Sequence, residues 1–185
     1  YVTQELNIGG GFGIRYTDAD DKKPYAYFLD PMMEEIKEFS KRMNITRPEI
    51  VIEPGRSIVG EAGLTLYTIG TIKDIKGIRK YVSVDGGMTD NIRPALYQAK
   101  YESVIANKAA QPSNDLVTIS GKCCESGDVL IRDAYMPLAE RGDILAIFST
   151  GAYGYAMASN YNKAPFPATV LVKEGKSEII VKRQT

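Results

Sequence analysis

Ile50-Val51-Ile52-Glu53-Pro54-Gly55-Arg56 is the stretch that decides the fold class of this chain. Three consecutive β-branched residues without polar alternation are the pattern of a strand buried on both faces of a parallel sheet. The run stops at a charged residue followed by Pro-Gly, which turns the chain. Upstream, Glu5-Leu6-Asn7-Ile8 is a second short extended run, broken at Gly9-Gly10-Gly11-Phe12-Gly13. Between them lie a polar loop (Thr17 to Pro24) and a helix. Asp30 is placed to cap that helix and Pro31 suits its first position. Glu34 and Glu35 favour its start, and Lys41 and Arg42 its end. Met32, Ile36, Phe39 and Met43 form the apolar stripe expected to face the sheet. Strand, helix and strand predict a β/α barrel or a doubly wound sheet. Residues 1–60 hold only about two such repeats, against the eight of a closed barrel. The open edges of so small a piece predict either docking onto another copy or loose order before Gly60.

After Gly60 the texture changes. Leu64-Thr65-Leu66-Tyr67-Thr68-Ile69 partly alternates, and Tyr81-Val82-Ser83-Val84 alternates cleanly before Asp85-Gly86-Gly87. Further short runs follow at 116–120, 129–132, 144–148, 169–172 and 178–181, with a short helix expected near Ala152 to Ala158. Residues 61–185 therefore read as an antiparallel, barrel-like β domain.

The 185 residues are 44% hydrophobic, enough for a sizeable core, and Lys+Arg and Asp+Glu number 23 each. Zero net charge with dispersed basic residues argues against a nucleic-acid binder, since phosphate-backbone affinity comes from clustered Lys and Arg. A small-molecule partner is expected. The two cysteines, Cys123 and Cys124, are adjacent, and there is no histidine. That excludes a disulfide framework and a spaced metal-ligand set, and points to a reducing, cytoplasmic setting. No apolar run approaches the ~18 residues of a membrane helix, and the polar start is not a signal peptide. Without histidine, proton transfer falls to Cys, Tyr, Lys or a carboxylate.

Several motifs carry possible chemistry. The glycine cluster at Gly9, Gly10 and Gly11 fits either a plain tight turn or a backbone cradle for phosphate. Glu53 and Arg56, at the end of a buried strand, either pair with each other or meet a cation and an anion respectively. Cys124 lies beside Glu125 and Asp128, a setting that keeps a thiol protonated and suits an acid, although packed inert cysteines are common. Arg93 and Tyr97, four apart, share a face if helical and would then hold a charged ligand end. Tyr153 lies among small residues that let a phenol stand open to a ligand or pack closely.

Taken in order, these segments resemble the fold-type III pyridoxal-phosphate (PLP) decarboxylases. The resemblance rests on Gly9-Gly10-Gly11-Phe12-Gly13-Ile14 with Tyr16, Glu53-Pro54-Gly55-Arg56, Asp85-Gly86-Gly87-Met88, Arg93-Pro94-Ala95-Leu96-Tyr97, Cys124-Glu125-Ser126 with Asp128, and Gly151-Ala152-Tyr153. It implies the end of an alanine-racemase-type (β/α)8 barrel in residues 1–60 and the family's C-terminal β domain in 61–185. Gly9, Gly10, Gly11, Gly55, Arg56 and Tyr153 would hold the cofactor phosphate, and Glu53 would face the pyridine nitrogen. Arg56, Arg93, Tyr97 and Tyr153 would bind substrate. Cys124 would be the catalytic proton donor, reaching into the partner's site of a homodimer.

Ornithine-type members usually carry Cys-Asp. The pair Cys124-Glu125, with Asn160-Tyr161-Asn162, resembles members whose substrate has two amino-acid heads, with Glu125 reading the distant amino group. The resemblance also places the Schiff-base lysine and a ring-stacking histidine upstream of Gly9, so the chain alone is expected to be an inactive portion of the enzyme. An assembly or regulatory domain, or a relative acting on ornithine, arginine or carboxynorspermidine, is the competing reading.

Overall fold

The computed structural model describes residues 2–185. The first unit is a crossover: β1 (Glu5–Asn7) and β2 (Glu49–Val51) pair in parallel, with Leu6 opposite Ile50, joined by α1 (Tyr25–Arg42). Parallel strands need a crossover of this kind because the end of one lies a strand's length from the start of the next. Ile50, Val51 and Ile52 are half-buried rather than enclosed on both faces, since the described sheet here has two strands.

Two expectations for α1 are corrected. It begins at Tyr25, with Pro24 extended at its cap, and Pro31 lies inside it rather than at its first position. Tertiary contacts outweigh the proline's missing N–H. Phe12 packs edge-on against Tyr25 and Phe28 (centroids 5.1 and 5.8 Å), and the Tyr25 hydroxyl meets Ser57 Oγ at 2.8 Å. The inward face is also rotated. Leu29, Met33, Ile36 and Ser40 are half-buried or buried, whereas Met32, Phe39 and Met43 of the expected stripe are exposed. Leu29 and Met33 border the same small hollow as Ile50 and Ile52, so contact with β2 selects this ridge.

After α2 (Gly55–Val59) come β3 (Thr65–Ile75), β4 (Arg79–Val84), α3 (Arg93–Tyr97), β5 (Ser103–Ile105), β6 (Asp115–Ser120), β7 (Val129–Met136) and β8 (Ile144–Ile147). These strands form one sheet in the order β5-β8-β3-β4-β6-β7. It is mixed rather than antiparallel, because β4 and β6 run parallel. Residues 85–114 cause this by carrying the chain away through α3 and β5 before β6 begins. The outer strands β5 and β7 approach each other, so the sheet nearly closes. Tyr67, Ile69, Val82, Val84, Val117, Ile119, Leu145 and Ile147 fill its core, alternating with outward residues. β9 (Thr169–Lys173) and β10 (Lys176–Val181) form a separate hairpin, whose turn at Glu174 and Gly175 has positive φ at both residues. In place of the helix expected at 152–158 there is a single 3-10 turn, Tyr155–Met157.

The segment before Gly60 rests on the sheet of its own chain. Thr150 N–H donates to Gly63 O and Gly151 N–H to Gly60 O, both at 3.0 Å, and Ser149 Oγ donates to Arg15 O at 2.8 Å. A Cβ on Gly151 would stand 1.9 Å from the Val59 carbonyl oxygen, so only glycine permits this approach.

One buried carboxylate secures the start of β8. Asp143, 6% exposed, accepts from Asn107 Nδ2, the Glu140 N–H and Lys108 Nζ, each at 2.8 Å. Burial favours the protonated form, but the bonds from Lys108 and Asn107 outweigh it and hold the carboxyl below its ordinary value. A depressed folded-state value stabilises the fold above the ordinary carboxylate range, and that stability is lost as pH falls through the folded value. Asp143→Asn is expected to cost about 1–3 kcal/mol at neutral pH in urea unfolding, with the difference from wild type shrinking on acidification. A difference constant down to about pH 3 would refute this account.

Candidate active site

Three groups of candidate residues are built by different elements. The first lies where β1 and β2 end. Asn7, the last residue of β1, accepts from the Gly9 N–H with Oδ1 at 2.8 Å and donates from Nδ2 to Glu53 Oε1 at 2.6 Å. The Glu53 N–H donates to Gly9 O at 2.7 Å, so the glycine turn and the end of β2 are laced together. A Cβ on Gly10 would stand 2.1 Å from the Glu53 carbonyl oxygen, which makes glycine obligatory there.

Glu53 and Arg56 do not pair with each other. Glu53 is exposed and held by Asn7, while Arg56 Nη2 donates to Gly11 O (3.2 Å) and Phe12 O (3.4 Å). Arg56 Nε is buried without a partner. A buried, unsatisfied guanidinium N–H beside a glycine turn, with the first amides of α2 lacking intrahelical acceptors, is a donor set that fits a phosphate.

The second group surrounds Arg93. Its Nη1 donates to the hydroxyls of Tyr16 (2.7 Å) and Tyr101 (2.9 Å). Its guanidinium lies 5.0, 6.0 and 5.7 Å from the ring centres of Tyr16, Tyr97 and Tyr153. The α3 helix forms as expected and places Arg93 and Tyr97 on one face. Tyr153 adopts φ 64°, uncommon for a bulky side chain, which aims its ring at this cage. Tyr101 is almost fully buried. That burial holds its phenol above the ordinary value even though the Arg93 guanidinium pulls it down.

The third group is the loop between β6 and β7. Cys124 and Glu125 are exposed on it. Among the described residues, no hydrogen bond or ion pair joins them to the Arg93 cage. Asp128, 4% exposed, anchors the loop by accepting from the Met88 N–H at 2.7 Å and the Cys123 N–H at 2.8 Å. The two thiols differ in setting: Cys123 is half-buried, and burial together with the Asp128 carboxylate pushes its pKa up. A cleft of about 810 Å3 between α3 and β7 is lined by Pro94, Gln98, Gly127, Leu130 and Tyr135, and of the three groups only Tyr101 reaches it.

Asn7 and Tyr101 carry no role in the sequence reading, and Asp128 enters it only as a carboxylate near Cys124, not as the anchor of the loop. Asn7-Ile8-Gly9 does hold a local signal, an Asx turn onto the residue two positions on. Tyr101 has none, because its contact with Arg93 depends on how α3 leads into β5. Among the described residues no helix is long and apolar enough to cross a membrane, and no three His, Cys, Asp or Glu side chains group as metal ligands.

The glycine turn with its strand-end glutamate and the arginine caged by tyrosines are the segments on which the resemblance to pyridoxal-phosphate decarboxylases rests. The family described as pyridoxal-dependent decarboxylase, C-terminal sheet domain, matches residues 1–151, and the chain belongs to it. The chain is 54% identical over 185 residues to the diaminopimelate decarboxylase of Bacillus subtilis (strain 168), covering 100% of this chain and 42% of that protein. It is 55% identical over 184 residues to that of Bacillus methanolicus, covering 43% of it. Among solved structures, diaminopimelate decarboxylase from M. jannaschii in complex with L-lysine superposes with a TM-score of 0.88 at 35% identity, over 98% of this chain and 41% of that one. The chain thus spans about two fifths of the length of these relatives.

Proposed function

We propose that this chain is the C-terminal portion of an enzyme that decarboxylates meso-2,6-diaminopimelate to L-lysine and CO2, the last step of lysine biosynthesis. In this reading residues 1–60 are the last units of an alanine-racemase-type β/α barrel and residues 61–185 its C-terminal β domain. When bound, pyridoxal phosphate supplies an electron sink for the bond pair left behind by CO2. Gly9, Gly10, Gly11, the amides of Gly55 and Arg56, and Tyr153 hold its phosphate. Glu53, fixed by Asn7, presents a carboxylate to the ring nitrogen and keeps that nitrogen protonated.

The observation that carries the substrate assignment is the caged Arg93. Both phenol contacts use Nη1, so the rest of the planar fork can receive a carboxylate. Arg56, Tyr97 and Tyr153 line the same end of the substrate. Cys124 gives its Sγ proton to the carbon that loses CO2, and Glu125 reads the amino group at the non-reacting end. Because Cys124 and Glu125 lie on an exposed loop apart from the Arg93 cage, they serve the partner's site in a homodimer, and the reaction on one chain alone is incomplete. Two adjacent free cysteines suit a reducing cytoplasm.

Assaying CO2 and lysine release by the full-length protein from meso-diaminopimelate, against ornithine, arginine and carboxynorspermidine, tests the assignment. A kcat/KM for diaminopimelate at least about 100-fold above the others is expected, because a site built to pair with a charged substrate end discriminates strongly against substrates that lack it. Comparable rates with ornithine would overturn it, and no turnover of any of them would favour a non-catalytic assembly domain.

A further inference from the structure

We infer that Asn162 is a positioning residue that sets the Cys124 thiol. The inference rests on the reading of Cys124 as proton donor, and it concerns what holds that donor still. Cys124, Glu125, Ser126 and Gly127 are all exposed on the β6–β7 loop, so local packing does not restrain them. The backbone of Cys124 is instead gripped from outside the loop. Its N–H donates to Asn162 Oδ1 at 2.8 Å, and its carbonyl accepts from the Tyr161 hydroxyl at 3.3 Å. Both polar backbone groups of one residue are thus satisfied by the same short segment.

That segment is itself anchored. Asn160 Nδ2 donates to Ala164 O (2.9 Å) and to Gln184 Oε1 (2.6 Å), and the Phe166 N–H donates to the same Gln184 oxygen (3.0 Å). The Ser159 N–H donates to Thr89 O at 2.9 Å, tying the segment to the turn that Asp128 also braces. Asn162 has φ 53° and ψ 22°, a left-handed conformation that asparagine, aspartate and glycine adopt at little cost. It therefore contributes two separable things: a backbone shape and an acceptor oxygen. Only the oxygen touches Cys124.

Three variants of the full-length holoenzyme separate these roles. Asn162→Gly keeps the shape and removes the acceptor, Asn162→Asp keeps both, and Cys124→Ala is the reference for the donor itself. Two readouts are taken: steady-state kinetics with meso-diaminopimelate, and the iodoacetamide alkylation rate of Cys124, resolved from Cys123 by tandem mass spectrometry. Asn162→Gly is expected to lower kcat about tenfold with KM little changed, the effect of one lost hydrogen bond, and to change the alkylation rate several-fold. Asn162→Asp is expected to restore kcat to within about threefold of wild type, with its alkylation profile displaced to higher pH by the added carboxylate.

Wild-type values for Asn162→Gly in both readouts would overturn the inference. So would an Asn162→Asp variant that is folded, as judged by cofactor absorbance, yet falls as far as Asn162→Gly. Full activity of Cys124→Ala would instead refute the proton-donor reading, while the alkylation rates would still report whether Asn162 sets the thiol.

Discussion

Replacing Cys124 by alanine in the full-length protein is expected to lower turnover of meso-diaminopimelate by about 100- to 10,000-fold, the contribution of a positioned general acid. The chain offers few substitutes. It has no histidine, and its other thiol, Cys123, is half-buried with a raised pKa beside Asp128. Cofactor absorbance is expected to persist, because the phosphate cradle proposed at Gly9 to Gly11 and Arg56 is a separate group of residues. A variant that keeps its absorbance and loses turnover assigns the defect to proton delivery. Near-wild-type turnover would remove Cys124 from the mechanism, and lost absorbance would mean that the loop supports the cofactor site instead.

Arg93→Lys is expected to lower kcat/KM by two to three orders of magnitude, mostly through KM. The charge is kept, so a purely Coulombic role would predict a small effect. The geometry predicts a large one. A planar fork already bonded through Nη1 to Tyr16 and Tyr101 offers a carboxylate two parallel donors, and an ammonium does not. Lysine would also leave the Tyr101 hydroxyl, on an almost fully buried ring, without its donor. An Arg93→Lys enzyme within about threefold of wild type in kcat/KM would show that Arg93 does not contact substrate. The measurement needed is the full saturation curve, since a defect confined to kcat would place Arg93 at the reacting carbon rather than at a binding end.

Much of this arrangement was legible in the residues. Gly9 to Gly13 after an extended run, the β-branched run into Glu53-Pro54-Gly55-Arg56, and Arg93 four residues before Tyr97 each have a local cause in backbone freedom, strand burial or helical spacing. The starts of β3 and β4 followed from alternation and β6 to β10 from short extended runs, whereas the three-residue β5 (Ser103–Ile105) was too short to stand out. The places where the reading slipped are those where a distant partner overrides a local preference. Pro31 is a good helix starter, but Phe12 packed edge-on against Tyr25 and Phe28 carries α1 back to Tyr25. Met32, Phe39 and Met43 make a plausible stripe. The neighbouring ridge of Leu29 and Met33 meets β2, and helical periodicity cannot tell two adjacent ridges apart when both are apolar. An antiparallel sheet was the natural expectation for short alternating strands, yet nothing in β4 or β6 announces that they run parallel.

The sequence by itself determined the chemical inventory: a glycine cradle, a glutamate and arginine at a strand end, an arginine with a tyrosine on one helical face, and a cysteine beside a glutamate on a loop. These depend on residue type and short spacing, which are properties of the chain. Tertiary structure alone decided which groups stand together. Asn7 meets Glu53 across 46 positions, Arg93 meets Tyr16 across 77, and Cys124 meets Asn162 across 38. Hydrogen bonds reach about 3 Å, so pairings at such separations exist only after the crossover and the nearly closed sheet have formed.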